Sequence, residues 1–210
     1  MANTNENPTL SFWQQQESNS QGMMLNHRAT ELDKLEQEEI ISYLPNLKDK
    51  KVLELGAGIG RYTKHFAVLA QWVTVVDFVE KFIEQNKINN ADVLNITYSC
   101  NNVIDIEFPS QTFDFIFVNW LFMYLEDKDV ELLIPRIHTY LQPKGTLFLR
   151  ESCFNSSNPN SPHTNSHYRE PKFYESLLLE KFDLLLKGNI RVYERIFNNP
   201  NQIFWLLQKK

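Results

Sequence analysis

Only two cysteines, Cys100 and Cys153, occur in the 210 residues, one at an expected strand end and one at the start of an expected loop. That excludes a disulfide framework and a cysteine-based metal site, and both thiols are expected reduced. Clustered cations are equally scarce. With 21 Lys and Arg against 26 Asp and Glu the net charge is −5, and no basic run supplies the face that neutralises a phosphate backbone, so nucleic acid is excluded as a partner. Long apolar runs are missing too. The longest, 113–125, is interrupted by Asp114 and Asn119 and is too short to span a bilayer, so it reads as core and no membrane insertion is expected. The N-terminal stretch 1–8 is polar and Asn-rich, without the charged-then-apolar order of a signal peptide, and the expected compartment is cytoplasmic. The glycosylation patterns Asn95-Ile96-Thr97 and Asn155-Ser156-Ser157 then carry no consequence. Neither an internal repeat nor a second compositional block is visible. Residues 1–210 therefore read as one domain, with 1–28 as a leader or lid and 155–168, rich in Asn, Ser and Pro, as an active-site loop.

What the chain does have is Val52-Leu53-Glu54-Leu55-Gly56-Ala57-Gly58-Ile59-Gly60, an apolar run ending in Glu and then three alternating glycines. This spacing predicts a strand that turns tightly into a helix, with a nucleotide-sized ligand lying against main chain where a Cβ would collide. A dinucleotide fingerprint would place its third glycine at position 61, which is Arg61, so the nicotinamide reading loses ground to S-adenosylmethionine. The next apolar run, 72–76, ends in Asp77, followed by Phe78. A carboxylate there accepts both ribose hydroxyls of a bound nucleoside, or caps the following helix.

The coarse rhythm supports an α/β fold. A helix is expected over 29–44, strand over 51–55, helix over 61–70, strand over 72–76, helix over 79–88, strands at 96–99 and 113–118, helix over 129–141, and a strand at 146–149 after Pro143-Lys144-Gly145. Segments 190–196 and 202–207, separated by Asn198-Asn199-Pro200, are expected to pair as an antiparallel hairpin. The result is a Rossmann-like, mostly parallel seven-stranded sheet of the class I methyltransferase type, with its ligand crevice at the carboxyl ends of the strands.

Methyl transfer from a sulfonium to an amine needs positioning and an unprotonated nucleophile. The candidates follow the strand ends. Asn119 can hold the methionine end of the cofactor, and Trp120 can face a cation or fill core. Tyr124 can accept or relay the amine proton, or simply pack with its hydroxyl at a rim. Glu151 follows the fifth strand. His167-Tyr168-Arg169 suits an anion, because imidazole, phenol and guanidinium all donate hydrogen bonds. His163 and His167 stand four apart, but Pro162 and the surrounding Asn and Ser argue for a loop, so no metal site is expected.

Five blocks together resemble the phosphoethanolamine N-methyltransferases, specifically the N-terminal catalytic half of the plant enzymes and the nematode enzyme of the first methylation step. They are Met23-Met24-Leu25-Asn26-His27, the glycine block through Arg61, Asn119-Trp120-Leu121-Phe122-Met123-Tyr124-Leu125, Arg150-Glu151-Ser152-Cys153 and His167-Tyr168-Arg169-Glu170-Pro171. The resemblance implies S-adenosylmethionine as cofactor, a phosphobase acceptor and phospho-monomethylethanolamine as product, toward phosphocholine and phosphatidylcholine. It implies cofactor contacts from Glu54, Gly56, Gly58, Gly60, Asp77, Phe78, Asn102, Val103 and Asn119. Trp120, Tyr168 and Arg169 would hold the phosphobase, with Arg169 on the phosphate, and Tyr124 and His167 would be catalytic. Asn102 stands where the family usually has Asp, and Phe12-Trp13 stands where single-domain relatives have a catalytic tyrosine. The second catalytic half of the plant enzymes has no counterpart, so transfer of one methyl is expected, with a separate methyltransferase as partner for later steps. The rival readings are methylation of another small amine or acid, and a cofactor-binding module without turnover.

Overall fold

The computed structural model describes residues 7–155 and 166–210. In chain order the elements are α1 (Pro8–Gln15), α2 (Ser20–Met24), α3 (Ala29–Tyr43), β1 (Lys51–Leu55), α4 (Thr63–Leu69), β2 (Trp72–Asp77), α5 (Glu80–Asn89), β3 (Ile96–Cys100), β4 (Phe113–Asn119), α6 (Asp127–Tyr140), β5 (Leu141–Ser152), α7 (Pro171–Leu178), β6 (Phe182–Asn189), α8 (Arg191–Phe197) and β7 (Gln202–Lys209), with a 3-10 turn at Phe122–Tyr124. The seven strands form one sheet in the order β3-β2-β1-β4-β5-β7-β6. The first five are parallel, and β7 is inserted antiparallel between β5 and β6.

Alternation along the strands divides the core into two layers. Val52, Phe115, Phe117, Phe148 and Phe204 face α3, α4 and α8, while Leu53, Ile116, Val118, Leu149 and Trp205 face α6 and α7. On α6 the buried residues Val130, Leu133, Ile134 and Ile137 recur at helical spacing. Across the first layer, stacked rings run from Phe117 to Phe148 to Phe204 to Tyr43, with centroids 5.2, 5.6 and 4.3 Å apart.

Two expectations need correction. Segment 190–196 is not a strand but most of α8; its period-two look arises from Ile190, Val192 and Ile196. Val192 and Tyr193 turn inward on the helix, and Glu39 of α3 accepts hydrogen bonds from the Arg191 and Val192 amides at 2.7 and 2.8 Å. The partner of β7 is instead β6, whose run Leu184-Leu185-Leu186 lacks alternation because it is an exposed edge strand with a register shift between Leu184 and Leu186. Residues 8–15 and 20–24 of the expected leader are helical. Its first six residues, and 156–165 of the expected active-site loop, lie outside the described residues. Among the described residues no helix is long and apolar enough to cross a membrane.

Candidate functional site

Sheet order reverses between β1 and β4, and such a switch point opens a crevice because the flanking connections leave toward opposite faces. A cavity of about 600 Å³ lies there. Its floor is the glycine turn after β1, where Gly56, Gly58 and Gly60 all have positive φ (68, 55 and 83°). The amides of Gly56 and Ala57 donate to Val76 O, and the Gly58 amide donates to Asp77 Oδ2 at 2.8 Å, which ties the turn to β2. A Cβ at Gly58 would sit 2.8 Å from Met23 Sδ on the cavity wall, and one at Gly60 would fall inside the Asn86 amide of α5. Gly56 and Gly58 line the cavity, whereas Gly60 does not: it gives α5 room to pack against the turn.

On the β2 and β3 side the wall holds Asp77, Phe78, Asn102 and Val103. Asp77 also accepts the Val79 amide at 2.9 Å, three residues ahead of the start of α5, whose N-cap is Val79 rather than Asp77. Burial pushes its carboxyl up to about 6 against the opposing pull of these amides. The Asn102 oxygen accepts the Ile104 amide at 3.1 Å, closing a local turn after β3. Glu54, also on the wall, accepts the Thr63 hydroxyl at 2.5 Å, and burial pushes it up to about 8.

Glu54, Asp77 and Glu151 share the same sign of shift, Glu151 rising to about 7 by burial. Over the window between the usual carboxylate value and about 8, the folded chain holds protons that the unfolded chain has released. This contribution to stability is full at acid pH and lost as pH rises through the folded values. The melting temperature of the ligand-free chain should therefore carry a falling component from about pH 5 to about pH 8, and Glu54→Gln should flatten it. An unchanged slope in that variant would mean Glu54 is already ionised in the fold.

The β4 side carries Asn119, Trp120, Leu121 and Tyr124. Trp120 has φ of 55°, and its amide extends the sheet by donating to Arg150 O at 2.9 Å. The cation that its ring faces is internal: the Arg150 guanidinium lies 3.5 Å from the ring centroid, and the indole Nε1 donates to Gln202 at 2.7 Å. After it, the Glu151 carboxylate accepts the amides of Leu121, Phe122 and Met123 at 3.0, 2.7 and 3.2 Å, fixing the turn that presents Tyr124. Burial, with Tyr168 and Glu151 nearby, raises the Tyr124 phenol well above its ordinary value. Trp13 of α1 closes this end, edge-on to Tyr124 at 5.1 Å and to Phe82 at 6.2 Å.

His167 is exposed on the same wall, its amide donating to Met123 O at 2.6 Å. Arg169 is placed differently from the sequence expectation. Its buried guanidinium donates to Asp127 at 2.7 Å, Phe122 O at 2.8 Å and Leu125 O at 2.5 Å, so it braces the Tyr124 turn and does not reach the cavity wall. Tyr168 is half-buried near Tyr124 and is not on that wall either. Among the described residues no group of three His, Cys, Asp or Glu could hold a metal ion, and His163 lies outside them. Trp13, Met23 and Arg61 are wall residues that sequence reasoning left without a role there. Arg61 follows the glycines directly, but α1 buries no residue and so gives no periodic signal for Trp13.

A methyltransferase domain model matches residues 52–145. The chain is 39% identical to phosphoethanolamine N-methyltransferase 1 of Triticum aestivum over 95% of its own length and 43% of that protein's. It is 32% identical to phosphoethanolamine N-methyltransferase 1 of Caenorhabditis elegans over its whole length and 49% of the relative's. Among solved structures, that of Haemonchus contortus phosphoethanolamine N-methyltransferase 1 in complex with phosphoethanolamine and S-adenosylhomocysteine superposes with a TM-score of 0.92 at 32% identity, covering 96% of this chain and 48% of that one. The chain thus spans less than half the length of these relatives.

Proposed function

Taking as premise that this chain is a class I S-adenosylmethionine-dependent methyltransferase domain related to the phosphoethanolamine N-methyltransferases, we propose that it methylates the amine of phosphoethanolamine to give the monomethyl product. The observation that carries this reading is one cavity with two chemically distinct ends: the glycine turn, Asp77 and Asn102 at one, Tyr124 and His167 at the other.

The residues present fit the cofactor. Gly58 leaves a place at the cavity floor that no side chain could share with Met23, and Asp77, with two oxygens each accepting one amide, keeps lone pairs for a ribose. Phe78 and Val103 offer apolar surface to the base, while Glu54 and Asn119 serve the amino-acid end. When bound, S-adenosylmethionine would supply an electrophilic methyl on a positively charged sulfur for in-line transfer to the acceptor nitrogen, with the neutral thioether as leaving group.

The acceptor must arrive as a neutral amine. Because the Tyr124 phenol is held protonated, it orients the nitrogen by hydrogen bonding and relays a proton rather than retaining one. His167, exposed on the same wall, carries the imidazole able to take that proton and pass it to water. With Arg169 committed to Asp127 and two carbonyls, the phosphate falls to His167, with Tyr168 next to it in the chain. Trp13 excludes water over Tyr124, a role for the leader helix as a lid.

The test is methyl transfer from labelled S-adenosylmethionine to phosphoethanolamine, its monomethyl and dimethyl forms and ethanolamine, with products separated by mass. Turnover of phosphoethanolamine stopping at one methyl is the expected result. Turnover of the methylated forms would extend the activity to the later steps, and inactivity on every phosphobase despite cofactor binding would overturn the acceptor assignment.

A further inference from the structure

Helix α3 contributes nothing to the cavity wall, yet its Glu36 carboxylate is completely buried. A buried carboxylate is costly unless each oxygen is paired, and here each oxygen takes a different guanidinium. Oε1 accepts Arg150 Nη2 at 2.5 Å, and Oε2 accepts Arg61 Nη2. Both arginines lead to the cavity. Arg61, whose Nε also donates to Asp33 at 2.7 Å, is itself on the wall directly after the glycine turn. Arg150 donates from Nη1 to Asn119 Oδ1 at 3.2 Å while stacking on Trp120, and both of those residues are on the wall.

This arrangement has a chemical consequence for Asn119. A side-chain amide can present either its oxygen or its NH2 to a ligand. The guanidinium that Glu36 holds in place fixes the orientation of this amide, its oxygen turned to Arg150, so the NH2 is the group left to meet a ligand. Asp77 and Asn102 occupy the β2 and β3 side, so Asn119, across the β1–β4 switch point, meets the opposite end of a bound nucleoside cofactor, where S-adenosylmethionine carries its α-carboxylate. We infer that Glu36 and Arg150 are positioning residues that fix Asn119 as a hydrogen-bond donor to the carboxylate of the cofactor. The inference rests on the cofactor placement proposed above and is independent of which acceptor is methylated.

The experiment compares two ligands by titration calorimetry: S-adenosylhomocysteine, and its decarboxylated analogue S-adenosyl-3-thiopropylamine. Neither is an acceptor, so a wrong acceptor assignment leaves the outcome untouched. For Glu36→Gln, with folding verified by thermal melting, the Kd of S-adenosylhomocysteine should rise about tenfold, while that of the analogue changes by less than about twofold, because only the former loses a charge-assisted hydrogen bond. A general loosening of the fold would weaken both ligands alike. Because Glu36 also holds Arg61 on the wall, Asn119→Asp, which conserves volume and offers Arg150 a carboxylate, must show the same selective loss whether or not Glu36→Gln folds. Unchanged affinity for S-adenosylhomocysteine in the folded variant, or equal losses for the two ligands, would overturn the inference.

Discussion

Asp77→Ala is expected to weaken S-adenosylhomocysteine binding by about a hundredfold or more, since hydrogen bonds to a charged group contribute about 1.5–3 kcal/mol each and two ribose hydroxyls are involved. Part of the loss comes from the protein itself. The same carboxylate accepts the Gly58 and Val79 amides, so its removal also loosens the glycine turn that the ligand lies on. Asp77→Asn separates the two contributions, because the amide oxygen can still accept one backbone N–H and leaves a poorer ribose partner. Its affinity should fall between wild type and alanine. Calorimetric titration of both variants would check this, and an unchanged Kd for Asp77→Ala would remove the ribose from this end of β2.

Glu151→Ala is expected to have the largest effect on stability. The carboxylate satisfies three successive amides, those of Leu121, Phe122 and Met123, and Glu151 has no exposed surface. An unsatisfied buried donor costs about 1–3 kcal/mol, so three of them amount to about 3–9 kcal/mol, comparable with the whole stability of many domains. Urea denaturation should show that loss, whereas Glu151→Gln, which keeps one acceptor oxygen, should lose about half as much. Methyl transfer should fail in the glutamine variant before folding does, because the same turn presents Tyr124. A loss under about 1 kcal/mol for Glu151→Ala would show that water reaches these amides.

The parts of the site legible in the sequence are those built by local conformation. Alternating glycines after an apolar strand can hardly be anything but a positive-φ turn, and an acid ending the next strand lands beside that turn because parallel neighbours end together, Leu55 pairing with Val76. Asn119, Trp120 and Tyr124 were placed for the same reason, following the strand next to β1 on its other side. Residue chemistry alone misjudged Arg169. A guanidinium beside imidazole and phenol suits phosphate, but burial surrounds it with the carbonyls of Phe122 and Leu125 and with Asp127, which use the same donors.

What the sequence determined by itself, then, is the α/β class, the five parallel strands, the glycine turn and the strand ends that surround it, since each depends on periodicity or on the φ that a residue type tolerates. Tertiary structure alone decided the rest. Residues 191–197 are helical because Glu39, far away in the chain, caps their first amides, and 182–189 is a strand because β7 offers it an edge. Glu36 joins the glycine turn to β5 through two arginines, and Trp13 reaches Tyr124. The reason is common to all of these: a charge or ring that must be paired when it is buried finds its partner in space, and no spacing along the chain records where that partner will be.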